Sequence, residues 1–101
     1  MIFIYTTCEN MEEAKRLGEL IINNKTGVCV DFWPVSSCYK WEGSLTCVEQ
    51  AMLLITTLES KLDEVNTLIS DNHTYSIPFI AGVDIRRINH SYKEWMVKEM
   101  E

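Results

Sequence analysis

Thiol and imidazole side chains carry what chemistry this 101-residue chain offers. The cysteines are Cys8, Cys29, Cys38 and Cys47; the histidines are His73 and His90. Thiolate and imidazole ligate soft and borderline metals, and facing thiols exchange with disulfides. No C-x-x-C occurs, and the cysteine spacings match no zinc pattern. A Ser-His-Asp set, a glycine-rich phosphate loop and a carboxylate pair with a clear partner are all missing, so an enzyme is not expected. His90 reads as a surface residue near a helix cap. Cys29, mid-strand, reads as a small buried hydrophobe.

The length suits one domain, residues 1–101, with a modest core. A net charge of −6 and a pI near 4.8 argue against nucleic acid and against an anionic membrane surface as partners. No apolar run approaches the roughly 20 residues of a membrane span. The start, MIFIYTTCEN, lacks a basic n-region and a small-residue cleavage site, so the expected location is cytoplasmic and the thiols reduced.

Residues 2 to 7 read as a central strand, apolar or β-branched almost throughout. Asn10 and Glu13 form a capping-box pattern ahead of a helix whose inner stripe is Met11, Ala14, Leu17 and Ile21. Asn23, Asn24 and Gly27 end it. Val28 to Thr57 then reads as two long strands around a Glu42-Gly43 turn, each roughly twice the usual length. Ser60 opens a second helix with Leu62, Val65, Leu68 and Ile69 inside. Residues 77 to 85 form a fourth strand, and Asn89 caps a last helix with Tyr92, Trp95 and Met96 inward.

This β-α-β-β-α-β order, plus a terminal helix, is the α+β ferredoxin-like arrangement with an extended β2–β3 hairpin. Strand one is expected beside strand three, in parallel, with strands two and four at the edges, where Pro34 and Pro78 are tolerated. The end of strand one then lies next to the turn before strand four, which makes Cys8 and His73 neighbours. A two-residue turn at Glu42-Gly43 pairs Trp41 with Ser44 and, three steps back, Cys38 with Cys47. That pair falls at a non-hydrogen-bonded position, inside disulfide range. A reduced pair, a disulfide and a Cu(I) thiolate site all remain open for it. The hairpin arm is too long for the domain to cover, and other copies of the chain are the expected cover.

Several motifs align together: Thr6-Thr7, the Cys29 strand, Pro34, Ser37-x-Tyr39-x-Trp41-Glu42-Gly43, Thr57, His73-x-Tyr75-x-x-Pro78 and Tyr92-x-x-Trp95. Over nearly the whole chain this resembles the CutA family of divalent-cation tolerance proteins. The resemblance implies a ferredoxin-like protomer in a homotrimer with PII-like architecture. In such a trimer the long hairpins pair with neighbouring subunits, and no catalytic reaction carries over. It implies a link to copper or another divalent metal. A non-enzymatic trimeric scaffold or signalling module, binding an unknown protein partner and no metal, is the alternative.

The chain departs from the family pattern in places. Thr74 stands where proline is usual, Phe79 where the family has glutamate, and Thr56 where it has lysine. The Pro34–Tyr39 stretch is one residue shorter and lacks a glycine. In some family members a copper-ligating cysteine ends strand one; here Thr6 holds that place and Cys8 lies two residues on. Cys8 and His73 are the expected metal ligands, a soft donor with an imidazole, which suits copper. The competing reading is a turn histidine bonded to backbone beside an ordinary thiol. Tyr39, Trp41, Tyr75, Tyr92 and Trp95 are expected at the inter-subunit interface or in a cleft there. Glu42 either holds the hairpin tip or binds a ligand.

Overall fold

A computed structural model describes residues 1–101. Four strands, β1 (Ile2–Cys8), β2 (Cys29–Trp41), β3 (Ser44–Thr57) and β4 (Ile80–Asp84), form one sheet in the order β2-β3-β1-β4. Three helices, α1 (Met11–Asn23), α2 (Leu62–Asn72) and α3 (His90–Glu99), complete the α+β fold. No helix is long and apolar enough to cross a membrane.

Asn10 caps α1 by accepting the Glu13 N–H at 2.9 Å. The helix ends in a Schellman arrangement: Lys25 N–H reaches Ile22 O and Thr26 N–H reaches Ile21 O. Lys25, not Gly27, takes the left-handed conformation there, at φ 55°. The second helix starts differently from expectation. Ser60 lies inside a 3-10 turn, Glu59–Lys61, and no side chain caps α2.

β1 runs antiparallel to β3, which corrects the parallel pairing expected from sequence. The crossover through α1 makes β1 parallel to β2, not to β3. The hairpin then sends β3 back between them, so β3 opposes both. β4 is also shorter than expected. Pairing with β1 begins at Ile80, opposite Thr6, and Pro78 stays outside the ladder that it cannot donate to.

Alternation splits each strand between two faces. On one face Ile2, Ile4, Cys8, Ala51, Leu53 and Ile55 pack under Ala14, Leu17 and Ile21 of α1 and Val65 and Ile69 of α2. The other face has no such helical layer: Phe3, Tyr5, Met52 and Leu54 are half-buried, and Trp33 and Val83 are exposed. Beyond the helices, the β2–β3 arm continues to a turn with Glu42 at φ 50° and Gly43 at φ 82°. Two left-handed residues make this a type I′ turn, which fixes the expected register: Trp41 opposite Ser44 and Cys38 opposite Cys47.

Gly27 marks the tightest approach of the α1–β2 connection to the core. A Cβ there would lie 2.7 Å from Ile21 Cγ2 and 2.9 Å from Ile55 Cγ2. Gly27→Ala is therefore expected to lower stability by about 1–3 kcal/mol, read as a lower denaturation midpoint at unchanged slope.

Candidate metal centre and adjoining groove

Cys8 is the last residue of β1, and its side chain is fully buried on the helix face. α1 starts three residues later and directs Glu13 back toward the same end of the sheet. The chain leaving α2 passes there as His73-Thr74-Tyr75. The ligand atoms of Cys8, Glu13 and His73 all lie within 4.8 Å of one another. Two of the three were expected to meet; Glu13 was not among them.

Glu13 is the hub. Its Oε1 accepts the Glu9 N–H at 2.8 Å. Its Oε2 accepts the Thr74 N–H at 2.8 Å and also the Thr74 hydroxyl. Arg16 Nη2 approaches Oε2 at 3.5 Å and donates to Asn72 O at 2.9 Å, tying α1 to the end of α2. Burial alone would raise the Glu13 pKa. The Thr74 hydroxyl and the Glu9 and Thr74 amides outweigh it and hold the carboxyl below its ordinary range.

His73 is enclosed, and both ring nitrogens have partners. Nε2 lies 2.9 Å from Thr7 O, so it donates; Nδ1 accepts the Tyr75 N–H at 3.0 Å. Nδ1 also lies 3.9 Å from Glu13 Oε1. The Cys8 thiol is pushed up to about 12, first by burial and then by the Glu13 charge, with Arg16 acting in the opposite direction. On the same face of β1, two residues earlier, the Thr6 hydroxyl is buried without a partner.

A groove of about 800 Å³ runs beside this cluster on the sheet's other face, between the arm and residues 74–79. Tyr39 and Trp41 line it from β2, Thr46 and Gln50 from β3, and Tyr75 and Phe79 from the opposite bank. Gln50 Nε2 donates to Tyr75 Oη at 2.6 Å across its floor. Glu42 sits at the turn and is not part of the lining. Tyr92 and Trp95 lie on α3, edge to face with centroids 5.3 Å apart, away from the groove. Phe79 brings an exposed apolar ring to that bank.

The CutA1 divalent ion tolerance protein model matches residues 2–99. The chain belongs to that family. It is 36% identical over 96 residues to the protein named CutA 1, chloroplastic, of Oryza sativa, covering 94% of this chain and 54% of the rice protein. It is 28% identical over 99 residues to the divalent-cation tolerance protein CutA of Archaeoglobus fulgidus, covering 98% and 97% of the two chains. The chain thus spans about half the length of the rice relative and nearly all of the archaeal one. The solved A. fulgidus structure, described as periplasmic, superposes with a TM-score of 0.96 at 28% identity over 100% of both chains. The rice CutA1 structure gives 0.93 at 35% identity, covering 97% and 91%. CutA proteins are non-enzymatic divalent-cation tolerance proteins, and the βαββαβ fold with its long hairpin is theirs.

The donor set in this CutA chain suits a borderline metal: one thiol, one carboxylate and one imidazole. Nothing in the primary structure marked Glu13 for it beyond the capping-box spacing.

Proposed function

We propose that the chain is a homotrimeric, metal-responsive protein of the divalent-cation tolerance type, holding copper or another divalent metal through Cys8 and His73 with Glu13 as third donor. The convergence of these three side chains within 4.8 Å carries the reading. The metal would supply the charge that replaces the thiol proton. Burial and the Glu13 charge hold that proton on the thiol, so metal must displace it and affinity should rise with pH. Calorimetric titration of the protein with Cu(I), Cu(II) and Zn(II) tests it. Cys8→Ser and His73→Ala are expected to lose the binding, and equal binding by all three proteins would remove the site.

The trimer is supported by the uncovered sheet face and by the long arm that one domain does not cover. Tyr39, Trp41, Glu42, Tyr75, Tyr92 and Trp95 are the residues we assign to the subunit interface or its cleft. Sedimentation should give three times the 11.7-kDa protomer mass. A stable monomer at micromolar concentration would contradict the assembly. We place the protein in the cytoplasm, where its two free thiols, Cys8 and Cys29, stay reduced.

The second reading, a trimeric scaffold that binds a protein partner and no metal, is favoured by one observation. Both Glu13 oxygens and both His73 nitrogens already have hydrogen-bond partners. On that reading the cluster is a structural knot, and all three proteins in the titration stay silent.

A further inference from the structure

We infer that Cys38 and Cys47 are a reversible dithiol–disulfide modification site, and that its state sets the rigidity of the arm tip that lines the groove. The two residues face each other across β2 and β3 with Cα atoms 4.1 Å apart, and they are disulfide-bonded. The ladder imposes that approach, because three steps back from a two-residue turn is a non-hydrogen-bonded pair. Both residues are exposed, so small reagents reach them. The remaining thiols are poor competitors: Cys8 is fully buried, and the Cys29 thiol is raised by burial and by Asp31.

Position on the sheet ties the pair to the groove. Tyr39, Trp41 and Thr46 share one face of the arm, while Cys38 and Cys47 point from the opposite face. Only five residue pairs separate the turn from the arm's hydrogen-bonded Ser36–Glu49 side-chain bridge, and the cysteine pair is one of those five. No helix backs this part of the sheet, and Trp41 and Leu45 are largely exposed. Within the protomer the covalent link is therefore the main restraint on the tip, and it adds to the restraint from the subunit contacts proposed for Tyr39 and Trp41 on the opposite face.

The exchange balances with a small-molecule disulfide as oxidant. One cysteine thiolate attacks a sulfur of the reagent, forming a mixed disulfide and expelling one reagent thiol. The facing cysteine, as thiolate, attacks the protein sulfur and expels the second. The protein loses two electrons and two protons, and the reagent becomes two thiols.

The full-length protein, equilibrated with oxidised or reduced glutathione, quenched and alkylated, should gain and lose the Cys38–Cys47 bond reversibly, with Cys29 and Cys8 left alkylatable after unfolding. Amide exchange across residues 39–46 should be about tenfold slower in the oxidised form. Cys38→Ser and Cys47→Ser should stop at a single mixed disulfide and exchange like the reduced protein. Wild type that stalls as a mixed disulfide, pairing through Cys29, or equal tip exchange in both states would overturn the inference.

Discussion

Glu13→Ala is expected to lower the unfolding free energy by about 2–4 kcal/mol, measured by denaturant melts at one fixed protomer concentration. The carboxylate is almost wholly buried and serves donors from two separate segments, Glu9 before α1 and Thr74 after α2. Truncation leaves the Thr74 hydroxyl and two amides without their acceptor. It also frees Arg16 from one of its two contacts. The same group sets an acid limit. Its folded-state pKa lies below the ordinary value of 4.5. The unfolded chain therefore binds the proton first. The carboxylate's contribution is complete above that ordinary value and is lost as pH falls through the folded one. Wild type should lose stability below about pH 4.5 more steeply than Glu13→Gln, which has no carboxyl to titrate. Parallel pH profiles for the two proteins would show that Glu13 is not the group responsible.

Ile55→Ala should cost about 2–5 kcal/mol. Ile55 is fully buried in the central strand β3, paired with Ile4 on one side and Val30 on the other. Four side-chain carbons become one, and the walls that lose contact belong to two strands that cannot close in without breaking ladder bonds. Its Cγ2 is also one of the two atoms that make Gly27 necessary. The two substitutions should therefore couple. Gly27→Ala should cost less in the Ile55→Ala background by about 1 kcal/mol, because one of its two clashes is gone. Strict additivity would mean that Ile21 alone sets the clearance at Gly27.

The arm was the most legible part of the sequence. Two residues at the turn fix the register, so counting from Glu42-Gly43 gives Cys38 opposite Cys47 without any tertiary information. Proximity of Cys8 and His73 was also legible, since it follows from the order of strands and the turn that ends α2. The direction of β1 against β3 was within reach but misread: the crossover rule governs β1 with β2, and β3 inherits the opposite sense. The start of α2 lacked a signal, because Ser60 resembles a cap and the chain uses a 3-10 turn instead. Glu13 was legible only as half of a capping box. Its first oxygen does serve that end of the helix, but its second takes donors 61 residues away, and no local pattern encodes a partner at that distance. The groove was half visible. Tyr39, Trp41 and Tyr75 stood out as aromatics, whereas Gln50 joins them only because the arm's outer face folds against residues 74–79.

X-ray absorption at the metal edge is the most direct test of the proposed centre. The disulfide-intact protein, loaded with one equivalent of zinc or copper, should show a single sulfur at about 2.3 Å and nitrogen or oxygen ligands near 2.0–2.1 Å, the shell of Cys8 with His73 and Glu13. The sulfur should disappear in Cys8→Ser. A shell of nitrogen and oxygen alone in wild type, or a sulfur that survives Cys8→Ser, would contradict the assignment.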